Sequence, residues 1–309
     1  MSKDLLVKPV VKWAGGKRQL LDEITNYLPV EFNPRINTYF EPFFGGGALF
    51  FHIKPQKAFI NDVNTELINL YQVIKHKPEK LISELINHKQ RALNNESEYY
   101  YLLRDWDRKE TYNQREDYVR AGRFVYLNRT GYNGLYRVNS KGQFNVPFGK
   151  YKNPDVIIEE TIKDVSIYLK KNYYCGRRKG ITITNQDFAE SVLKLAKKGD
   201  FVYFDPPYDP VSETATFTAY DKGGFGRREQ KRLKSIVTIL SARGCYVMVS
   251  NSSTDFINSL YEGFEIVPVK ANRSINSQGS KRGKVEEVLI MNYRNSKSRT
   301  ILSTLYNHK

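Results

Sequence analysis

The sharpest chemical signal in the chain is Asp205-Pro206-Pro207-Tyr208, set directly after the apolar run Phe201-Val202-Tyr203-Phe204. Two consecutive prolines fix φ and remove two N–H groups, so the turn offers acceptors and few donors. An Asp in such a turn, together with exposed carbonyls, can accept both hydrogens of an amino group and aim its lone pair outward. Tyr208 adds a flat face on which a planar base can stack. The structural alternative is a Pro-Pro turn that merely ends a strand. A glycine-rich turn, Glu41-Pro42-Phe43-Phe44-Gly45-Gly46-Gly47-Ala48, follows another apolar segment and opens a short helix. In an open α/β sheet a nucleotide-like ligand docks at the carboxyl end of the first strand, where glycines admit it close to the backbone. Asp62 ends the next strand about twenty residues on, where a carboxylate can accept hydrogen bonds from ribose hydroxyls. This spacing is not the GxGxxG of a dinucleotide site, and a tight strand-to-helix turn would also explain the glycines.

The charge pattern supplies a second signal. Forty-nine Lys and Arg against thirty-three Asp and Glu leave +16 over 309 residues. From Tyr118 to Pro154 no acidic residue occurs, while Arg120, Arg123, Arg129, Arg137, Lys141, Lys150 and Lys152 are present. Tyr118, Phe124, Tyr126, Tyr132, Tyr136, Phe144, Phe148 and Tyr151 are interleaved with them. A second acid-free stretch, Ile266 to Val285, carries Lys270, Arg273, Lys281, Arg282 and Lys284. Clustered basic residues can neutralise phosphates with counterion release, and aromatics offer stacking or wedge surfaces. The alternative is a solvated basic face over core aromatics.

These residues need elements to carry them. The pattern predicts a helix over 17–28, a strand over 38–43 leading into the glycine turn, and a strand over 57–60 leading to Asp62. Residues 65–127 read as helical, with Leu67, Ile68, Tyr71 and Ile74 on one face. The segment 132–151, with Asn133-Gly134, Gly142 and Pro147, reads as a hairpin or extended loop. Strands follow over 181–184, 201–204, 245–250, 264–267 and 285–292, with helices over 188–197, 228–243 and 254–261. Strand–helix alternation on both sides of a helical insert predicts one discontinuous α/β domain, residues 1–64 and 165–309, split by a mostly helical domain of 65–164 with a hairpin near 131–150. The last two strands, joined without a helix, predict an antiparallel edge.

Composition excludes several classes. No run approaches the roughly 18 apolar residues of a membrane span, and the N-terminus lacks the apolar stretch of a secretory signal. Cys175 and Cys245 are far apart and the four His are scattered, so neither a disulfide framework nor a zinc site is expected. The expectation is a soluble, cytoplasmic protein with a polyanionic partner and no metal.

Several segments, in order, resemble the Dam-type family of DNA adenine-N6 methyltransferases. They are Lys12-Trp13-Ala14-Gly15-Gly16-Lys17, the glycine turn, Asp62, Asn128 through Arg137, Phe144 through Gly149, Asp205 through Tyr208, and Phe217-Thr218-Ala219-Tyr220. The resemblance covers nearly the whole chain. It implies a class I S-adenosylmethionine-dependent methyltransferase fold, Rossmann-like and mostly parallel, with an inserted target-recognition domain. It implies S-adenosylmethionine as cofactor and duplex DNA, generally at GATC, as substrate.

By that resemblance Trp13, Lys17, Glu41, Phe43, Gly45, Gly47, Asp62 and Asp205 belong to the cofactor pocket, Asp62 at the ribose. Asp205, Pro206, Pro207 and Tyr208 form the catalytic turn, with Tyr208 stacking on an extruded adenine. Tyr132, Asn133, Leu135 and Arg137 reach into the DNA, Tyr132 filling the space left by the flipped base and Arg137 reading a guanine. Lys12, Pro147, Lys150, Tyr151 and Lys152 complete the DNA-binding set. Lys150 departs from the family, whose members often carry Arg there; Lys keeps the charge without the bidentate fork. A cognate restriction endonuclease is a functional partner the resemblance leaves open. Three rival classes stand beside this reading: a DNA-binding module that has lost catalysis, an RNA or protein amide methyltransferase, and a nicotinamide dehydrogenase. The Asp-Pro-Pro-Tyr turn opposes the first, the basic aromatic insert the second, and the glycine spacing the third.

Overall fold

The computed structural model describes residues 5, 7–13, 15, 17–171, 174–175, 178–210, 224–269 and 287–294. Its strands are β1 (Tyr39–Glu41), β2 (Ala58–Asn61), β3 (Tyr174–Cys175), β4 (Arg178–Lys179), β5 (Ile181–Thr184), β6 (Phe201–Phe204), β7 (Tyr246–Ser252), β8 (Glu265–Val269) and β9 (Glu287–Met291). Helices α1 (Leu21–Asn26) and α2 (Ala48–Ile53) precede α3 (Thr65–His76), α4 (Pro78–Arg91), α5 (Glu96–Arg104), α6 (Asp117–Thr130) and α7 (Glu159–Lys170). They are followed by α8 (Phe188–Leu193), α9 (Arg227–Ala242) and α10 (Asp255–Leu260).

The main sheet has the order β5-β2-β1-β6-β7-β9-β8, and β3 with β4 forms a separate two-stranded ladder. β1 runs parallel to β2 and β6, and β6 parallel to β7, while β9 is antiparallel to β7 and β8. The mostly parallel sheet that the resemblance implies and the antiparallel edge that the strand pattern predicts are therefore both present. β6 is a four-residue apolar run buried at every position, the mark of a strand covered on both faces. The order reverses beside β1, which has β2 on one side and β6 on the other; in open α/β sheets ligands bind outside the carboxyl ends of the strands at such a point.

The chain packs into two compact units. The first comprises residues 1–16, 44–52 and 61–185. Its centre is α6, buried from Ala121 through Asn128. Leu67, Tyr71 and Ile74 of α3, Leu81 and Leu85 of α4, and Ile162, Val165 and Leu169 of α7 are buried with it. Asn64 caps α3 by accepting from the Leu67 N–H at 3.0 Å, which starts the helix immediately after Asp62. The second unit comprises 17–43, 53–60 and 186–309. Leu233, Ile236, Val237 and Leu240 of α9, spaced i, i+3, i+4, i+7, share one buried cluster with Val202, Phe204, Val247, Val249 and Ile290 of the strands.

Several boundaries differ from the sequence reading. The helix expected over 17–28 divides into a 3-10 turn, Lys17–Gln19, and α1. α8 stops at Leu193, and Gly199 then turns the chain with φ of +85°. Helix α7 was not anticipated; its buried Ile162, Val165 and Leu169 carry a helical spacing, but charged residues between them mask it. Residues 131–149 form a 3-10 turn, Tyr132–Gly134, and two antiparallel bridges, Gly131 with Phe148 and Val138 with Phe144. Phe217-Thr218-Ala219-Tyr220 and Lys270 through Lys284 lie outside the described residues. Among the described residues no helix is long and apolar enough to cross a membrane.

Candidate active site

In the second unit the carboxyl ends of β1 and β6 lie side by side, since Tyr39 pairs with Phe201 and Phe40 with Val202. Glu41 ends β1, is buried, and accepts from the Tyr39 hydroxyl at 2.8 Å. Asp205 leaves β6, and its Oδ1 lies 2.8 Å from Lys17 Nζ. The same ammonium stands 4.7 Å from the centroid of the Tyr208 ring. One cation therefore faces both the acidic acceptor and the aromatic face of the Asp-Pro-Pro-Tyr turn. Burial pushes the Asp205 carboxyl up, Lys17 pulls it down, and the nearby Glu287 charge pushes it up again. The balance is a raised pKa. Tyr208 is held as a neutral phenol by burial and by the Asp205 charge, and it donates to Glu287 Oε2 at 3.1 Å.

The turn is braced from behind. Gln230 of α9 donates to the Pro207 carbonyl at 2.8 Å, and Asn251 of β7 donates to Gln230 Oε1 at 3.1 Å. Asn251 Oδ1 also accepts from the Asp209 N–H at 3.0 Å. Phe43, expected at the cofactor, packs its ring on Phe188 at 5.2 Å and against Phe225 at 5.3 Å, so much of its surface belongs to the core. Sequence reading missed Glu287, Gln230 and Asn251. Only for Glu287 was there a cue, as one of the first acids after a long acid-free stretch.

In the first unit the glycine turn is set between β2's end and α3. Asp62 Oδ2 accepts from the Gly45 N–H at 2.8 Å and Oδ1 from the Asn64 N–H at 2.9 Å. Tyr71 of α3 donates to the Gly46 carbonyl at 3.2 Å. Gly45 has φ of +50°, and a Cβ there would fall 2.7 Å from Trp13 Cδ1. The indole therefore lies directly on the turn, and only glycine fits beneath it. Trp13 also stacks on Tyr136, centroids 5.4 Å apart with an 18° interplanar angle. Burial raises the Asp62 carboxyl, opposed by the N–H groups of Asn64, Gly45 and Val63. Three N–H groups occupy three of the about four lone-pair sites of the carboxylate, so one oxygen can still accept from a hydroxyl.

The same unit gathers most of the residues expected at DNA. Lys12, Tyr132, Asn133, Arg137, Pro147, Lys150 and Lys152 are exposed, with Leu135 and Tyr151 half-buried. The Lys12 stem lies against Gly134, where a Cβ would come 2.4 Å from Lys12 Cδ, and its Nζ stands 5.2 Å over the Tyr151 ring. Asn128 ties this corner together. It accepts from the Lys12 N–H at 2.9 Å and donates to the Lys12 carbonyl at 2.8 Å and the Gly134 carbonyl at 2.9 Å.

The acid-free insert is less uniform than its composition suggests. Arg123 is buried, with its guanidinium 2.9 Å from Asp107, and Arg120 lies 3.5 Å from Glu66. Arg129 donates to the Val10 carbonyl at 2.7 Å. Phe124, Tyr126 and Phe144 are core residues. Arg137, Lys141, Lys150 and Lys152 are the basic residues of the insert that face solvent. Among the described residues no group of His, Cys, Asp and Glu is arranged to hold a metal ion.

The arrangement at Asp205 can accept hydrogens from an amino group beside a stacking face, and comparison with known proteins is consistent with that chemistry. The sequence profile of the D12 class of N6 adenine-specific DNA methyltransferases matches residues 13–275. The type II methyltransferase M1.LlaDCHI of Lactococcus lactis subsp. cremoris is 46% identical over 289 residues, covering 94% of this chain and 96% of its own. The type II methyltransferase M.MjaIII of Methanocaldococcus jannaschii is 43% identical over 299 residues, covering 93% and 99%. The DNA adenine methylase of Escherichia coli K12 is 36% identical over 286 residues, covering 91% and 94%. The chain belongs to the D12 class of N6 adenine-specific DNA methyltransferases.

Proposed function

We propose that this enzyme transfers a methyl group from S-adenosylmethionine to N6 of an adenine turned out of duplex DNA, with GATC as its target. The observation that carries the reading is the ion pair of Lys17 with Asp205 beside the Tyr208 ring, at the end of β6. An adenine inside a duplex cannot present N6 for transfer, so extrusion must be offset, at a cost of a few kcal/mol. Stacking on Tyr208 contributes roughly 1–3 kcal/mol towards that.

When bound, S-adenosylmethionine supplies an activated methyl on a sulfonium. The residues fit it: a glycine turn under an indole, and a half-buried carboxylate at Asp62 with one acceptor site to spare. The residues assigned to it by the family resemblance are Trp13, Lys17, Glu41, Phe43, Gly45, Gly47, Asp62 and Asp205. Asp205 and the Pro206 carbonyl accept the amino hydrogens, and the amine exchanges with the Lys17 ammonium at Asp205. Orientation and the negative charge at Asp205 then match the positive charge that develops on N6. Residues 65–164 serve as the target-recognition domain, and 1–64 with 165–309 as the transfer domain. Lys12, Tyr132, Asn133, Leu135, Arg137, Pro147, Lys150, Tyr151 and Lys152 contact DNA, with Tyr132 filling the vacated stack. Two relatives are named type II methyltransferases. For this chain we propose a cognate restriction endonuclease as a functional and not a physical partner.

The test is transfer of labelled methyl from S-adenosylmethionine to plasmid DNA, followed by sequencing with modified-base detection. N6-methyladenine confined to GATC is the expected result. Modification of another sequence overturns GATC alone, and label in RNA but not duplex DNA overturns the substrate.

A further inference from the structure

The segment carrying Arg137 is a short hairpin, and two bridged strands are marginal by themselves. Behind it lies a cavity of about 240 Å³, lined by Glu66, Tyr112, Arg123, Tyr136 and Phe144 among others. Packing therefore holds only part of its inner face, and directed polar contacts must do the rest.

Those contacts converge on one backbone residue. Asp107 Oδ2 accepts from the Phe144 N–H at 2.8 Å, and Arg108 Nη2 donates to the Phe144 carbonyl at 3.1 Å. Asp107 Oδ1 accepts from Arg108 Nη1 at 2.8 Å, which locks the two side chains together. Arg123, on the buried helix α6, puts Nη2 2.9 Å from Asp107 Oδ2 and donates to the carbonyls of Leu103 at 2.8 Å and Arg104 at 2.7 Å. The N–H and C=O of Phe144 are thus both gripped by charged side chains fixed to the helical core. A shift of one residue along the hairpin would break both bonds, so the grip sets register.

From Phe144 the chain of contacts runs outward. Val138 bridges Phe144, and the Asn145 N–H donates to the Arg137 carbonyl at 3.0 Å. The Arg137 guanidinium donates through Nε to Asn145 Oδ1 at 2.8 Å. We propose that Asp107, with Arg108 and Arg123, forms a positioning group for sequence recognition, holding the hairpin in the register that sets where the Arg137 guanidinium meets DNA. None of the three need touch DNA to do this. The inference rests on the reading of Arg137 as a base contact.

The test uses Asp107→Asn in the full chain. One side-chain atom becomes a donor facing Arg108 or the Phe144 N–H, while Arg123 keeps its carbonyl acceptors. Methylation is measured on the enzyme's preferred duplex and on duplexes changed at single base pairs. Preference at the pair that Arg137→Ala relaxes should fall about tenfold in Asp107→Asn, with donor affinity and saturated kcat on the preferred duplex within about twofold. The double variant should discriminate no worse than Arg137→Ala alone, because both changes remove the same contact. A merely structural role would slow every sequence equally, and that result overturns the proposal, as do unchanged discrimination and losses that multiply. If Asp107→Asn melts early, Arg108→Met, which leaves the Asp107–Arg123 pair in place, must show the same selective loss or the proposal falls. An Arg137→Ala enzyme that discriminates normally removes the underlying reading, and this inference with it; an effect of Arg137→Ala without one from Asp107→Asn removes only the inference.

Discussion

At the residue scale, the proposed chemistry turns on one carboxylate under two opposing influences. Desolvation raises the Asp205 pKa and the Lys17 ammonium lowers it. In its proposed role Asp205 is ionised when it accepts amino hydrogens, so its protonation should define the acid limb of activity. Removing Lys17 removes the influence that lowers the pKa. Lys17→Met should therefore lose activity at a higher pH than the parent, visible as an upward-shifted acid limb in kcat/KM against pH; a downward shift would contradict the pairing. Asp205→Ala removes the acceptor itself. Transfer should fall by about a hundredfold or more, the scale of losing one well-placed electrostatic contact, while a filter or anisotropy assay finds DNA affinity largely kept. Glu287 has a quieter task, since by accepting from the Tyr208 hydroxyl it fixes the plane on which a base would lie.

At the element scale, buried polar side chains join segments that the apolar pattern alone leaves loose. Asn128 on α6 satisfies two Lys12 backbone groups and the Gly134 carbonyl, so the N-terminal segment and the hairpin start are held by one amide. His88 on α4 is fully buried, with Nδ1 2.6 Å from the Tyr99 hydroxyl. Burial and the charges of Arg91 and Arg123 lower its pKa from 6.5 to about 3. The folded protein keeps this imidazole neutral while the unfolded chain protonates it below 6.5. Stability from this group is thus complete above 6.5 and is lost as pH falls towards 3, by up to about 1.4 kcal/mol per unit. His88→Gln should flatten the decline in denaturation midpoint between pH 6 and pH 4. An unchanged slope would assign acid lability to other groups.

At the scale of the whole molecule, the excess of +16 is spent unevenly. Arg120 and Arg123 face acids inside the helical unit, whereas Arg137, Lys141, Lys150 and Lys152 face solvent. Lys150 even adopts a left-handed φ of +54° at the surface. If Lys150 and Lys152 neutralise phosphates, replacing both with Gln should make the slope of log affinity against log salt less negative by about 0.9 per lost contact. The weakening should be alike on every sequence, in contrast to Arg137→Ala. Equilibrium binding across a salt series measures both, and a sequence-dependent loss would move the two lysines from the phosphates to the bases.

The sequence by itself determined the alternation of elements, the antiparallel edge, and the position of Asp-Pro-Pro-Tyr after β6. These follow from local rules: apolar period, proline stereochemistry and glycine turns act within a few residues. Tertiary structure decided which charges act and which merely hold. Nothing local marks Lys17 as the partner of Asp205, Glu287 as the acceptor for Tyr208, or Arg123 as an internal strut. An arginine is buried only where carbonyls and a carboxylate from distant segments converge, as Leu103, Arg104 and Asp107 do around Arg123. Such convergence is a property of packing and leaves no period in the chain.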